Sequence, residues 1–505
     1  MFCKLNSYCL NGIDALPIEV EIDLHNGLPG FDIVGLPDSA VKEAKERVKS
    51  AIQNSGFTFP ICHITVNLAP ADIKKEGSLY DLPIALGILC CLGELSATPF
   101  IDHLFIGELA LNGSIRGVRG LLPLLCAVSN QDVTCIIPSS NAPEASLLET
   151  LTVYTAQNLK EVVDYLNSKS SLNECSRQIT TSHHSIAALD FSDVKGQERA
   201  KRGLMLSAAG YHNTLLIGPP GSGKTMLAER LPTILPPLTE KECIEITKIY
   251  SVAQQLNECQ IITERPFRSP HHTISNYGLV GGGIHPKPGE ISLSHLGVLF
   301  LDELLEFNKE ALELLRQPLE SHYITLSRAQ MSISYPAHFL FLAATNPCPC
   351  GYYPDPKRCS CSLQSIKKYL SKLSGPLISR VDIHLETHIP TLKDLHATHT
   401  LSSKDMRHAV ENVRQIQNKR FSNTSILYNS QIPSQLITTY CPMSHEAENL
   451  LYQWFETTSS NIRAYDKILR LARTIADFDS CEFIETHHIA EAIQYRILDQ
   501  PFWSS

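Results

Sequence analysis

The stretch Gly218-Pro-Pro-Gly-Ser-Gly223-Lys224-Thr225 constrains this chain more than any other. It follows a short apolar run, Asn213-Thr-Leu-Leu-Ile-Gly218, that reads as a buried strand. It opens a segment with helical periodicity through Leu231. A glycine-rich turn between a buried strand and a helix N-terminus is the arrangement that cradles phosphate. Gly218, Gly221 and Gly223 let the backbone close around phosphate oxygens, Pro219, Pro220 and Ser222 complete the loop, and the helix start adds its positive dipole end. Lys224 is placed to reach the outer phosphates of a nucleotide, and the Thr225 hydroxyl to take a position on Mg²⁺.

Two further strands end in the residues that such a loop needs as partners. Val298-Leu-Phe-Leu-Asp302-Glu303 delivers Asp302 to the Mg²⁺ shell, and Glu303 beside it can orient and deprotonate an attacking water. Phe339-Leu-Phe-Leu-Ala-Ala-Thr-Asn346 ends in an amide that can hold that water in line with the terminal phosphate. An acid or an asparagine after an apolar strand is common, and an asparagine there is often a turn former. The order of the three segments is what gives them a shared meaning: hydrolysis of ATP with Mg²⁺.

At 505 residues the chain is too long for one core. Its 43% hydrophobic and 19% charged residues describe ordinary soluble material. The longest apolar stretch, Leu82 to Leu95, is interrupted by Pro83 and Gly87 and reads as a buried helix, so no membrane contact is expected. The N-terminal MFCKLNSYCLNG lacks the apolar core of a signal peptide, and the expected location is the cytoplasm. Sixteen cysteines there are mostly small core residues, not a disulfide framework. A net charge of −9 gives no global attraction for nucleic acid, so any such contact must come from local loops gathered by oligomerisation.

The expected organisation is multidomain α/β. Residues 1–168 form an α+β unit: Ile18–Leu24 alternates as a half-buried strand, Asp38 and Ser39 open a helix with Val41, Ala44, Val48 and Ile52 on one face, Gly56 closes it, and strands follow at Ile61–Leu68 and Leu104–Leu111. Residues 169–189 are polar and read as a linker. Residues 190–390 hold the phosphate loop and its partners. Residues 391–505 are helical, clearest in Arg463–Phe478 and in a helix capped by Thr486.

Directly after Asn346 come Cys348-Pro-Cys350 and Cys359-Ser-Cys361. Four thiolates suit a tetrahedral Zn²⁺ that would stiffen a Pro- and Gly-rich loop, although the spacing within each pair is tighter than the usual zinc knuckle. Reduced loop cysteines and a redox role are the other two readings.

The chain resembles the ComM/YifB family of magnesium-chelatase-like AAA+ ATPases along nearly its whole length. The resemblance is carried by GPPGSGKT, FRSPHHTIS (267–275), PGEISLSHLGVLFLDEL (288–304), AATNPCPCGYYPDPKRCSC (343–361) and RAYDKILRLARTIADF. It implies an AAA+ core with channel-loop inserts, a C-terminal helical lid, and assembly as a homohexameric ring. It also implies branch migration of recombination intermediates in natural transformation, with DNA, a recombinase and other recombination proteins as partners. Position by position, Arg380 falls where this clade places its arginine finger, acting on a neighbouring subunit's nucleotide. Arg463 matches the second sensor arginine of the lid. Asn276–Glu290, too glycine-rich for a regular element, and the hairpin Tyr323–Leu326 with Ser332–Tyr335 match the loops that line the channel, where Lys287 and Arg328 would meet DNA phosphates. Gln330-Met331 stands where the family usually has a second basic residue. His271 and His272 read equally as orienting groups or structural ones.

The N-terminal unit is similar to the Lon-protease fold through KKEGSLYDLPIAL (74–86) and GELALNGSIRGVRGLLPLL (107–125). Leu79 and Leu122 fall where that fold carries its serine and lysine, so the expected role is a scaffold and not a peptidase. The reading that follows is a cytoplasmic, Mg²⁺-dependent ATPase ring that moves on DNA. A chelatase-type metal-insertion motor and a protein unfoldase, using Tyr277-Gly278-Leu279 as an aromatic loop, are its rivals.

Overall fold

A computed structural model describes the chain apart from residues 97–99, 101, 149, 176–188, 257–260, 284–285, 329–330, 374, 392–393, 395–400, 459–461, 497 and 499–505, and apart from the side chains at 327, 328, 331 and 375. The fold is mixed α/β and divides into two compact units. One comprises Met1–His183 with Glu240–Thr263, the other His184–Thr239 with Glu264–Ser505.

In the first unit, Ile18, Val20, Ile22 and Leu24 are buried from one face of the long strand Asp14–His25. That strand pairs antiparallel with Phe2–Asn11 and His63–Ala69, and Gly30–Val34 joins the far edge in parallel. A second sheet of three parallel strands, His103–Phe105, Thr134–Pro138 and Val153–Ala156, carries Asn173–Glu174 on its edge. The helix Asp81–Cys91 is buried on nearly every side, as its predominantly apolar sequence requires. A Cβ at Gly87 would stand 2.0 Å from Ile22 Cδ1, so this helix approaches the sheet only as glycine permits. The helix expected from Ser39 is broken at Glu43 into Ser39–Lys42 and Ala44–Asn54, yet its four apolar residues are all buried.

Three boundaries differ from the sequence reading. Asn173–Glu174 pairs with the strand Val153–Ala156, so the first unit runs into the segment read as linker; residues 176–188 of that segment lie outside the described residues. The helix Glu240–Ala253, which falls in the 190–390 segment, packs in the first unit. Its Ser251 hydroxyl donates to the buried Glu144 carboxylate at 3.0 Å, a long-range pairing that local periodicity does not announce. Third, the helices beyond 391 share one core with those around the phosphate loop. Gln417 Nε2 donates to Ala209 O at 3.1 Å, and Phe191 N to Ser403 Oγ at 2.9 Å.

The second unit is built on a parallel sheet whose spatial order is Phe267–Arg268, Val298–Leu301, Leu340–Thr345, Thr214–Ile217, Ile383–Glu386. Its three central strands are wholly buried, as continuous apolar runs covered on both faces must be. Alternate residues serve alternate faces. Leu216, Phe300 and Leu342 pack toward the helices Glu198–Gly210, Ser403–Arg420 and Ile462–Phe478, while Leu215, Leu299 and Phe341 pack toward Leu304–Leu315. Two smaller hairpins project from this unit. The segment Asn276–Glu290 is not free of regular structure: Ser275 caps a helix at Asn276–Val280, and Gly281–Gly282 pairs with Lys287–Pro288. Gly281 and Gly282 take left-handed φ of +100° and +140°, and a Cβ at Gly281 would meet Lys287 O at 2.3 Å, so the glycines are what let this ribbon form. The second hairpin, Tyr323–Arg328 with Met331–Pro336, is longer than expected. Thr486 is not a cap but the first residue of its helix. Glu485 is the cap, with His488 Nδ1 accepting the Glu485 N–H at 2.9 Å.

Candidate nucleotide-hydrolysis site

Strand order decides what meets the phosphate loop. The strand Leu340–Thr345 lies between Thr214–Ile217 and Val298–Leu301, pairing Thr345 with Ile217 and Ala343 with Leu301. Asn346 therefore emerges between the loop and Asp302, at the C-terminal ends of parallel strands, where open α/β sheets bind ligands. These residues line a cavity of about 430 Å³ together with Pro220 to Met226 and Glu303.

The loop's shape is held from beneath. Gly221 and Gly223 take left-handed φ of +76° and +84°, conformations that favour glycine, and a Cβ at either would project into open space. Gly218 is close-packed instead: a Cβ there would lie 2.1 Å from Thr387 Oγ1. The Thr387 hydroxyl also meets Ser222 Oγ at 2.7 Å, and Gln197 Nε2 donates to Ser222 O at 3.1 Å. Neither residue stands out in the sequence, because nothing local marks a loop as lying beside a distant one.

Within the cavity, Lys224 Nζ donates to Gly218 O at 2.7 Å, Pro219 O at 3.0 Å and Asn346 Oδ1 at 3.2 Å. Burial pulls the Lys224 ammonium below its ordinary value, and the charges of Asp302 and Glu303 partly restore it. Thr225 Oγ1 donates to Asp302 Oδ2 at 2.7 Å, and Asp302 Oδ1 accepts the Glu303 N–H at 2.9 Å. A hydroxyl and a carboxylate in contact beside the glycine-rich loop form a hard-oxygen donor set that fits Mg²⁺. Glu303 has a left-handed φ of 49°, rare for a residue with a side chain, and its carboxylate is half exposed at the cavity mouth. His272 Nδ1 stands 3.6 Å from Glu303 Oε2, which gives that histidine a partner in the site. His271 instead caps locally onto Thr273.

Arg380 and Arg463 are not in this cavity. Asn213, which precedes the strand Thr214–Ile217, donates from Nδ2 to Arg380 O at 3.2 Å, and its backbone carbonyl accepts the Asp382 N–H at 2.7 Å. Arg380 thus sits at the opposite end of the sheet from the loop, across a four-residue strand that spans about 13 Å. Its guanidinium is held by Glu320 and by Pro376 O. With Arg463, Lys467 and Arg470 it lines a second cavity of about 650 Å³. Lys467 Nζ reaches Asp382 Oδ1 at 2.5 Å, tying the helix Ile462–Phe478 to the segment that carries Arg380.

The two hairpins share a third cavity of about 310 Å³, lined by Tyr277, Gly281, Pro286, Ile324 and Leu326 among others, and Tyr335 Oη donates to Pro286 O at 2.7 Å. Lys287 is exposed on the first; Arg328 ends a strand of the second, with its side chain outside the described residues, as is Gln330.

The four cysteines come together: Cys348 Sγ lies 3.3 Å from Cys350 Sγ and 3.8 Å from Cys359 Sγ, and all four sulfurs fall within 4.8 Å of one another. Asp479, His487 and His488 also cluster, but there His488 Nδ1 accepts a backbone N–H, which puts the ring proton on Nε2 facing Asp479. His488 is thus committed to the cap of its helix. In the first unit, Leu79 and Leu122 are buried core residues, and the Ser78 hydroxyl is taken up by Glu108. Among the described residues, no helix is long and apolar enough to cross a membrane.

Three family descriptions match in order along the chain. They are "Subunit ChlI of Mg-chelatase" over residues 20–141, "Magnesium chelatase, subunit ChlI" over 190–395, and "Magnesium chelatase, subunit ChlI C-terminal" over 400–496. The chain is 42% identical to Competence protein ComM of Haemophilus influenzae, covering 96% of both proteins. It is also 42% identical to the uncharacterized protein YifB of Escherichia coli, covering 97% of this chain and 96% of that one, and 36% identical to the uncharacterized protein Rv2897c of Mycobacterium tuberculosis over 97% of each.

Proposed function

The chain belongs to the ComM/YifB family of magnesium-chelatase-like AAA+ proteins, and on that premise we propose that it is an ATP-driven DNA motor that works as a hexameric ring. The observation that carries the hydrolytic half is the meeting of Lys224, Thr225, Asp302 and Asn346 around one cavity. Gly218 to Gly223 wrap the phosphates of ATP, and Lys224 neutralises the terminal ones. Thr225 and Asp302 hold Mg²⁺, which supplies charge neutralisation at the transferred phosphoryl group. Glu303 takes a proton from the attacking water, and Asn346 keeps that water in line.

The position of Arg380 supports a ring. An arginine at the far end of the sheet cannot serve its own subunit's nucleotide but can serve a neighbour's, stabilising the charge that develops at the terminal phosphate. Arg463 shares its cavity and is assigned the same neighbour-facing role.

The inserts carry the DNA half. Lys287 and Arg328, on hairpins joined by the Tyr335–Pro286 bond, are the proposed phosphate contacts, and a sixfold ring would repeat each of them locally, so a net charge of −9 per chain does not forbid DNA binding. The relative named Competence protein ComM supports a role in competence; the substrate proposed with it is a branched intermediate of recombination during natural transformation, and the proposed partners are a recombinase and other recombination proteins in the cytoplasm. The N-terminal unit is read as a Lon-like scaffold, and the cysteine loop as a structural Zn²⁺ site. The test is a branch-migration assay. Purified protein with ATP should displace a strand from a synthetic three- or four-way junction, and protein carrying Lys224→Ala should not. ATP-dependent unfolding of a protein substrate without junction movement would favour an unfoldase instead.

A further inference from the structure

We propose that the four-cysteine knot is a Zn²⁺-dependent brace of the nucleotide site, so that loss of the metal weakens nucleotide binding and not merely loop order. The inference rests on the reading of the 430 Å³ cavity as a nucleotide site.

The sulfurs fit the metal. A tetrahedral Zn²⁺ with bonds of about 2.3 Å sets its sulfurs about 3.8 Å apart, and the separations among Cys348, Cys350 and Cys359 are 3.3, 3.6 and 3.8 Å. Cys348 Sγ also accepts the Tyr353 backbone N–H at 3.4 Å, a donor of the kind that surrounds a metal-bound thiolate.

The loop touches the nucleotide site twice in its first turn. It leaves the sheet through Asn346, whose Oδ1 accepts from Lys224. One residue further, Pro347 leads to Cys348, which is fully buried. The chain turns at Gly351, whose N–H returns to Cys348 O at 3.0 Å, and there it meets the phosphate loop. A Cβ on Gly351 would stand 2.6 Å from Pro220 Cδ and 3.8 Å from Asn346 Cγ. The path therefore runs from Lys224 through Asn346 and Cys348 to Gly351 and back to Pro220. Cross-linking Cys348 and Cys350 to Cys359 and Cys361 through one ion fixes that circuit.

The experiment uses the full chain. Metal content is measured by mass spectrometry, and binding of a fluorescent ADP analogue is followed as purified, after stripping with a thiol-competing chelator, and after returning Zn²⁺. One zinc per chain is expected, with affinity falling on the order of tenfold when it is removed and recovering when it is restored. Gly351→Ala separates metal from contact. It should keep its zinc and still bind the analogue more weakly, because the added methyl pushes on Pro220 and strains a turn whose φ of +87° favours glycine. Absence of metal, or iron in its place, would overturn the zinc assignment. Tight binding that survives zinc removal would overturn the brace alone. A zinc-loaded protein that binds no nucleotide would overturn the reading of the cavity, and the brace with it. Circular dichroism of the stripped protein guards against global unfolding. If the stripped chain unfolds, Gly351→Ala decides the question: analogue affinity equal to wild type with zinc intact overturns the brace.

Discussion

Thr225 Oγ1 and Asp302 Oδ2 are 2.7 Å apart although 77 positions separate them in the chain. That bond joins the first turn of one helix to the end of a strand two places away in the sheet. It exists because the strand Leu340–Thr345 is inserted between their two strands and brings Asn346 in beside them.

Asn346 accepts from Lys224 and lies between the phosphate loop and the acids. If it positions the attacking water, Asn346→Ala should lower kcat about 100-fold while leaving KM within a few-fold, since a misplaced water costs rate and not binding. Steady-state ATP hydrolysis measures both; a large rise in KM with kcat unchanged would assign Asn346 to binding.

Arg380 is tied to Asn213 and Glu320 at the end of the sheet away from the loop. Arg380→Ala should remove most turnover, by about 100-fold or more. Mixing that variant with Lys224→Ala protein should restore part of it. In mixed rings some interfaces pair an intact loop with an intact arginine. Two inactive proteins that stay inactive when mixed would contradict a role for Arg380 across a subunit boundary.

Asp382 accepts from Lys467 and from the Asn213 N–H. Burial alone would raise its carboxyl, but Lys467 and His212 outweigh burial and hold it well below the usual carboxylate range. A group depressed in the folded state contributes stability that is present above its unfolded value near 3.9 and is lost as pH falls below it. Asp382→Asn should therefore flatten the fall in Tm below about pH 4. At pH 7 it should cost about 3–5 kcal/mol, because it leaves the Lys467 ammonium unpaired in a largely buried place. Thermal melts across pH 2–8 check both parts.

The two hairpins divide the rival functions. Arg328→Ala and Lys287→Ala should each weaken DNA binding and shallow its salt dependence, by a slope change of about one for each phosphate no longer engaged. Tyr277→Ala should leave DNA binding within a few-fold. Fluorescence anisotropy at several salt concentrations distinguishes them. Dependence of activity on Tyr277 and not on the basic residues would favour protein threading.

Much of the site is legible in the sequence because each part ends an apolar run that can only be a buried strand: Leu215 to Ile217, Val298 to Leu301, Leu340 to Ala344. Such runs fix where Lys224, Asp302 and Asn346 emerge, and parallel pairing does the rest. The parts that are not legible depend on contacts between distant segments. Thr387 and Gln197 support Ser222 from positions with no motif of their own. The helix Glu240–Ala253 leaves the unit that surrounds it in sequence because its buried residues and Ser251 find partners elsewhere. Glycine at 281 and 282 points away from regular structure when only propensity is considered. Their left-handed backbone instead makes a two-stranded ribbon.

Whether this chain is a DNA-driven ATPase is decided soonest by ATP turnover of purified protein without DNA and with single-stranded, duplex and branched DNA, using Lys224→Ala as the blank. Turnover should rise with DNA, most with the branched form, and should be absent from the blank. Robust Lys224-dependent turnover indifferent to every DNA would contradict a DNA motor.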